Sequence, residues 1–245
     1  MFHTNKKSYL VTCFVFITLV ASVGKFSAYG LSSSQSPTPS TFFAGSTPYG
    51  VPYNNWLEKW WQWNIQIPKE QHPQTVNFNL IKCPVGESGS VSFLTHSLQG
   101  ESQYSCTIPA GHAILTPIST GECTTDEAHS SIPADMLHCA SEGDKYLTFD
   151  ATVDGVHLNG LGAQGLCQGL CQNYAISGIF NITVPKDNFL DLKPGQWNEI
   201  ATGYFVFLKP LAAGNHSLSI TARVTNPVDP TYNFDYHTTY LLTVQ

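Results

Sequence analysis

The sequence predicts an all-β protein: an antiparallel β-sandwich, jelly-roll-like or immunoglobulin-like, with one Trp-rich helix at the start of the domain. Short segments of alternating or β-branched residues recur between turn residues. One stretch alone has the apolar spacing of a helix, and six cysteines follow an N-terminal export segment. Many short strands at regular spacing, in a disulfide-bonded chain, are typical of sandwich folds.

Residues 1–30 have the layout of a secretory signal peptide. Lys6 and Lys7 precede an uncharged apolar run, and Ala28 and Gly30 have the small-residue spacing of a cleavage site. The run is about fifteen residues, shorter than the roughly 20 that a spanning helix needs. We therefore expect a secreted or cell-surface protein. Membrane attachment is expected only if this segment stays uncleaved as an anchor.

The remaining chain divides into a spacer and one domain. Residues 31–48 are rich in Ser, Thr and Pro, a composition that buries too little apolar surface to fold. Residues 49–245 are long enough for one substantial core. No internal repeat of 20–50 residues is visible, which argues against solenoids and propellers. We expect a single β-sandwich domain over residues 49–245.

The charge of the mature chain restricts its partners. Without Lys6, Lys7 and Lys25, 8 basic residues remain against 17 acidic ones, a net charge of −9. Arg223 is the single arginine of the chain. A surface this acidic, without a basic stripe, argues against nucleic acid and against anionic membranes as partners.

An even number of cysteines in an exported chain predicts three disulfides and no free thiol. Six cysteines allow 15 pairings, and spacing proves none of them. The simplest expectation is sequential pairing: Cys83 with Cys106, Cys123 with Cys139, and Cys167 with Cys171.

The predicted helix begins at Asn54 or Asn55 and ends before Pro68. Its indoles recur at i, i+4 and i+7, which places three on one face: Trp56, Trp60 and Trp63. Packing of this face against a sheet is favoured, and an aromatic platform for sugar rings is the alternative. Trp61 points elsewhere and is a candidate binding residue.

The predicted strands follow from alternation and from turn residues at their ends. Asp154-Gly155 is a pair suited to a type I′ hairpin turn. The near-continuous apolar run Gly203–Leu208 predicts a strand buried on both faces. The predicted segments are Val91–Leu94, His112–Ile118, Tyr146–Val153, Val156–Leu158, Ile179–Val184, Gly203–Leu208, His216–Val224 and Tyr240–Val244.

Four motifs together resemble a family of secreted archaeal and bacterial β-sandwich proteins, with the pattern WWxW, CTxPAG, FVFLKPL and TYxLTV. They occur here at Trp60–Trp63, Cys106–Gly111, Tyr204–Leu211 and Thr239–Val244. The resemblance covers most of the mature chain and implies a secreted sandwich. The family has no established activity, so the resemblance implies no catalytic residue. The segment Gly160–Tyr174, with its paired cysteines, departs from the pattern.

Metal-binding residues are few. Glu127, His129 and His138 form the least scattered set of ligand types, and no His-x-His or His-x-x-x-His pair occurs. Cys167 and Cys171 have the Cys-x-x-x-Cys spacing of copper sites, but position 175 is Ala and no Met lies nearby. We expect a structural disulfide and no cofactor, with a copper, zinc or calcium ion as the alternative.

No catalytic signature is present. The sequence lacks a Gly-x-Ser-x-Gly elbow. Asp150 and Asp154 share a strand face at roughly 13 Å, too far apart for a carboxylate pair. We therefore expect a non-catalytic extracellular module that hydrolyses no simple ester, peptide or glycoside. The alternative is a metal-dependent extracellular enzyme or a copper-handling protein.

A non-catalytic module of this kind would bind a glycan or a surface protein. Besides Trp61, the candidate contacts are three aromatic residues that share one strand face: Tyr232, Phe234 and Tyr236. The competing interpretation places that face on the inner wall of the sandwich. Asn181 and Asn215 open glycosylation sequons, so a glycoprotein is expected where the host glycosylates exported chains.

Overall fold

A computed structural model describes residues 39–75, 83–142, 144–158, 161, 172–225, 227 and 233–245. The signal segment, the Cys167–Cys171 pair and Tyr232 lie outside these residues. The strands are β1 (Val85–Ser88), β2 (Val91–Leu94), β3 (Gln99–Ile108), β4 (Ala113–Thr124), β5 (Leu147–Val153), β6 (Val156–His157), β7 (Tyr174–Ile176), β8 (Phe180–Val184), β9 (Gly195–Leu208), β10 (Gly214–Val224) and β11 (Phe234–Val244). The helices are α1 (Tyr53–Asn64), α2 (Pro133–Ala140) and three 3₁₀ turns, Pro48–Gly50, Lys69–Gln71 and Asp144–Tyr146.

The strands form two sheets, and both are mixed. The six-stranded sheet has the order β1-β2-β4-β9-β7, with β8 also pairing β9, and the five-stranded sheet has the order β3-β11-β10-β5-β6. The pairs β2·β4 and β3·β11 are parallel. The expected sandwich of two sheets is confirmed, but its expected antiparallel pairing holds only in part. Parallel neighbours need a long connection between them, and alternation along one strand does not reveal them.

Two apolar layers lie on opposite faces of the six-stranded sheet. One fills the space between the sheets and includes Ile118, Val206, Ile220 and Tyr240. The other lies under α1 and includes the residues Trp60, Phe93, Phe205 and Phe207. Because β9 is covered on both sides, its last five residues, Tyr204–Leu208, are all apolar rather than alternating.

Helix α1 buries its indoles against the sheet. Trp60 is fully buried, and its Nε1 donates a hydrogen bond to the Leu94 carbonyl at 2.9 Å. Trp56 is 3% exposed, and Trp63 is partly buried. The helix is preceded by Pro52, which makes no side-chain cap, so neither Asn54 nor Asn55 serves as its N-cap. These contacts favour packing over a sugar platform.

The packed part of the chain begins before Tyr49. Thr41 forms an isolated bridge with Leu208, and the Phe42 amide donates to the Phe207 carbonyl at 2.8 Å. The Phe42 and Phe207 rings meet edge to face at 5.0 Å. The predicted spacer therefore ends earlier than residue 48, because an aromatic side chain within it finds a partner on β9.

Two disulfides join Cys83 to Cys106 and Cys123 to Cys139, the pairs expected from sequential assignment. The second bridge ties α2 to β4. Helix α2 lies in a segment where the sequence predicts neither a helix nor a strand. Within the described part of the chain, no helix combines the length and apolar character needed to cross a bilayer.

Candidate functional site

A pocket of about 180 Å³ lies at the free edge of β4. Among the described residues, β2 pairs with β4 only from Ala113 to Leu115, so the backbone edge beyond that point lines the pocket. A bulge at Ile118 follows, between the paired positions Pro117 and Ser119. The side walls come from α1, from the β2–β3 connection and from two loops, and consist of Trp61, His96, Leu98, Gln74 and Leu190.

His96 is the most buried polar residue of this pocket. The side chain is 1% exposed, and its Nδ1 lies 2.8 Å from the Tyr240 hydroxyl, which in turn lies 3.1 Å from Thr116 Oγ1. Its Nε2 has no hydrogen-bond partner among the described residues. Burial lowers the pKa of His96 to about 3, so the ring is neutral at physiological pH. The Nε2 atom is also shielded from solvent, so a ligand would reach it only where neighbouring side chains moved.

Trp61 forms a rigid wall of the same pocket. The indole is 4% exposed and meets Trp60 edge to face at 5.2 Å. Its Nε1 donates to Thr120 Oγ1 at 3.1 Å. Both contacts fix the ring orientation, so Trp61 lines the pocket without being the exposed aromatic that the sequence suggested.

A cluster of three carboxyl groups adjoins the pocket through Glu122. Strand pairing sets Glu122 opposite Ala201 and Thr124 opposite Glu199, which places both glutamates on one sheet face. Glu127 accepts from the Thr124 amide at 2.9 Å and from the Thr124 hydroxyl at 2.8 Å. The carboxyls therefore converge from β4, from β9 and from the turn after β4.

Burial is the main cause that raises the pKa of Glu122 well above its usual value, followed by the negative charges of Glu199 and Glu127. Burial likewise raises the pKa of Glu199, which is fully buried. Neither Glu199 oxygen, nor the shielded Oε2 of Glu122, has a hydrogen-bond partner among the described residues. Carboxyls this close favour a shared proton, and a protonated Glu122 is a hydrogen-bond donor at the pocket margin.

A second arrangement lies on the solvent face of the five-stranded sheet. The Ser219 hydroxyl is 2.7 Å from His237 Nε2, and His237 Nδ1 is 2.8 Å from a Glu101 carboxylate oxygen. A carboxylate only accepts, so Nδ1 carries a proton, and in the tautomer with a single ring proton this leaves Nε2 to accept from the Ser219 hydroxyl. Spacing along the chain does not predict this set, because its three members come from β10, β11 and β3.

The aromatic contacts expected on β11 divide between core and periphery. Tyr236 is 1% exposed, and its hydroxyl donates to the Ile118 carbonyl at 2.5 Å. Phe234 is partly buried and stacks on Tyr236 at 6.0 Å. Tyr232 lies outside the described residues. The expectation of a shared exposed face is therefore wrong for Tyr236, which belongs to the inner wall of the sandwich.

The expected metal ligands do not converge. His138 is exposed on α2 and lies 4.0 Å from Glu142, whereas Glu127 turns toward Thr124. His129 occupies the loop before α2 with a φ of 48°. Across the described ranges, no group of three His, Cys, Asp or Glu side chains could hold a metal ion. Cys167 and Cys171 lie outside those ranges, so the alternative of a metal ion bound by them stays a prediction.

Both sequon asparagines are exposed. Asn181 lies on β8, and its carbonyl accepts from Gln62 Nε2 at 3.0 Å. Asn215 lies in β10, and its Oδ1 accepts from the Thr243 hydroxyl at 3.3 Å. The structure places neither amide in the core.

Comparison with known proteins yields little. No family model matches the chain, and no curated protein matches it. The solved structures that align with it include the cysteine protease inhibitor EhICP2 of Entamoeba histolytica, at 12% identity and a TM-score of 0.21, and amebosin, at 11% identity and a TM-score of 0.20. The alignments cover 63% and 60% of this chain, and 95% and 98% of the two structures. Scores this low carry no argument about fold or function.

Proposed function

We propose that the protein is an exported, disulfide-stabilised module that binds a polar group of a glycan, or of a surface protein, in the pocket at the β4 edge. One observation carries the proposal. Two ionisable side chains that line the same pocket, His96 and Glu122, each have an atom shielded from solvent and without a hydrogen-bond partner in the described part of the chain. Such atoms are costly to leave unpaired, and a ligand hydroxyl that displaces the side chains covering them would satisfy them.

The chemistry of the pocket favours an uncharged, hydroxyl-bearing group. Its polar side chains are a neutral imidazole and a carboxyl whose pKa is raised by burial. An anionic ligand would meet the remaining charge of the glutamate cluster and be repelled. The fixed indole of Trp61 offers an apolar surface beside these groups. A single sugar ring combines both kinds of surface.

We infer the location of the protein and its kinship from other features of the chain. The signal layout of residues 1–30 and the two disulfides support export, because disulfides persist in oxidising compartments. The motifs that resemble the secreted archaeal and bacterial family support the same conclusion. That resemblance rests on the motifs alone and does not imply which ligand the protein binds.

The test is calorimetric titration of the mature protein with a panel of uncharged oligosaccharides. We expect His96→Phe and Glu122→Leu each to raise Kd about tenfold, since each loses a hydrogen bond worth roughly 1–1.5 kcal/mol. His138→Gln and Glu87→Gln, both exposed, are the matched controls and should leave Kd unchanged. Equal Kd in all four variants would show that the ligand does not bind in this pocket. Absence of a heat of binding at millimolar oligosaccharide would show that the ligand is not one of these glycans.

A further inference from the structure

We propose that Ser219 and His237, positioned by Glu101, hydrolyse carboxylic esters carried on an extended polymer. The inference is independent of the pocket, since the three residues lie on the outer face of the other sheet. The sequence alone predicts a non-catalytic module, because the three residues are far apart along the chain. His237 Nε2 lies 2.7 Å from the serine hydroxyl, and His237 Nδ1 lies 2.8 Å from the carboxylate. These are the nitrogens that a histidine uses in a Ser-His-carboxylate triad.

The strand register explains why the three side chains meet. His237 pairs directly with Glu101 on β3 and with Thr221 on β10. Ser219 lies two residues before Thr221 and therefore on the same face, diagonal to His237. The face is outward because the alternating residues Leu218 and Ile220 are fully buried.

A neighbouring histidine shows what the arrangement requires. His216 also binds a carboxylate, with Nδ1 2.7 Å from Asp154. Its Nε2, however, lies 3.0 Å from the Ala212 carbonyl, an acceptor, so that nitrogen donates and is unable to take a proton. His237 differs because its Nε2 faces a hydroxyl, which makes it a base for Ser219.

The reaction uses these groups in two balanced steps. Ser219 Oγ attacks the ester carbonyl carbon while its proton passes to His237 Nε2, and the departing alkoxide takes that proton as the alcohol. Water then attacks the acyl-serine and gives a proton to His237 Nε2. Ser219 leaves as the acyl group is released as the acid, and its oxygen recovers the proton from the ring.

Side-chain hydroxyls surround the nucleophile where negative charge would develop. The residue directly opposite Ser219 on β11 is Thr239, and the residue opposite it on β5 is Thr152. Opposed side chains in a sheet lie about 4.5–5.5 Å apart at Cβ, within reach of an oxyanion between them. Backbone amides in the middle of a sheet are engaged in the ladder. We therefore expect slow turnover, dominated by the general base.

The open face indicates the class of substrate. The His237 side chain is 40% exposed and that of Glu101 81% exposed. Small-molecule sites are concave and enclose most of the ligand, whereas a flat, polar sheet face suits a chain that lies across it. We assign the activity to ester groups displayed along a polymer, such as an acetylated polysaccharide.

The experiment combines active-site labelling with product release from the mature protein. We expect a fluorophosphonate probe to modify Ser219, located by peptide mass spectrometry, and acetate to be released from acetylated xylan. Ser219→Ala should abolish both, and His237→Gln should slow labelling about 10²-fold, the low end for a general base. Ser217→Ala, a serine two residues away on the same strand, is the matched control and should change neither rate by more than about twofold.

Glu101 acts through His237 and needs its own readout. In Glu101→Gln we expect labelling to slow about tenfold and the ring ¹⁵N shifts of His237 to lose their preference for the Nδ1–H tautomer. The substituted side chains lie on the outer face of the sheet and none is in the core, so all variants should fold. No label on Ser219, or equal labelling in wild type, His237→Gln and Glu101→Gln, overturns the activity. If Ser219 is labelled but no acetate is released, the assignment of a polymer-borne ester as the substrate is overturned.

Discussion

Glu199 lies in β9 with its side chain fully buried, and neither carboxyl oxygen has a hydrogen-bond partner among the described residues. Burial, then the charge of Glu127, raises its pKa. The folded state therefore holds its proton at a pH where the unfolded chain has released it. Because the unfolded state binds fewer protons there, the free energy of unfolding contributed by Glu199 falls as pH rises from about 4.3 to the folded pKa.

Replacement of Glu199 by Gln should remove this penalty. We expect Glu199→Gln to equal wild type near pH 4 and to gain on it as pH rises, reaching an advantage of order 1 kcal/mol or more at pH 8. Urea unfolding at pH 4, 6 and 8 measures the difference. Glu87→Gln, an exposed glutamate on β1, is the control. A Glu199→Gln advantage that does not vary with pH would contradict the assignment.

At the same residue scale, the sequence predicts some burial and misses the rest. Trp56 and Trp60 are recognisable because helical spacing alone puts them on one face. Glu199 and His96 are not, because their environments depend on which strands pair and in which register. The Ser219–His237–Glu101 set is missed for the same reason. Alternation along β10 and β11 predicts which residues face outward, but it does not predict which residues on the adjacent strands lie beside them.

At the scale of elements, α2 is held against the six-stranded sheet by close contact as well as by the Cys123–Cys139 bridge. The Thr202 hydroxyl donates to the Ala140 carbonyl at 3.0 Å, and Ala140 is buried. Gly121, in β4, faces the same carbonyl so closely that a Cβ there would overlap it. A glycine at position 121 is thus required by packing, since its φ is not positive.

Substitution of Gly121 should displace α2. We expect Gly121→Ala to lower the free energy of unfolding by about 1–3 kcal/mol, the range for overpacking, and to speed amide exchange in α2. Gly178→Ala is the matched control, because a Cβ there would meet only Glu58 Oε1 at 3.8 Å. Equal stability of the two variants, measured by thermal unfolding and hydrogen exchange, would show that α2 is not held by this contact.

The elements that the sequence predicts are those with a continuous local pattern. β2 and β10 follow from alternation or β-branched runs, and the positive φ of both Asp154 and Gly155 agrees with the type I′ turn expected there. Helix α2 is not predicted from the sequence, because its 8 residues are too few to show a helical period. The parallel strand β3 is not predicted because its first buried residue, Ser102, is polar, and because its partner, β11, lies at the far end of the chain.

At the scale of the whole molecule, polar contacts within the apolar interior join the two sheets. His96 reaches Tyr240, Tyr240 reaches Thr116 on β4, and the Tyr236 hydroxyl binds the Ile118 carbonyl. The rings of His96 and Tyr236 lie 4.6 Å apart. Each of these contacts connects β11 to the opposite sheet or to the β2–β3 connection. A neutral His96 therefore contributes one of the contacts that hold β11 against the rest of the sandwich.

Acid should weaken this connection in a predictable direction. Burial depresses the pKa of His96 to about 3, against roughly 6.5 in an unfolded chain. The stability it contributes is complete above pH 6.5 and declines by about 1.4 kcal/mol for each pH unit below that, until the folded pKa is reached. The glutamates of the neighbouring cluster have the opposite slope, so a variant comparison is needed to isolate His96.

His96→Gln supplies that comparison, since glutamine does not titrate. At pH 7.5 we expect the variant to be less stable than wild type by about 1–2 kcal/mol, because it loses the ring contact with Tyr236 and the bond to Tyr240. At pH 4.5 wild type has lost about 2–3 kcal/mol through His96, so the gap should close or invert. His138→Gln, whose side chain is 83% exposed, should track wild type at both values. Chemical unfolding at the two pH values measures both differences, and a gap of unchanged size would mean that His96 is not held neutral between the sheets.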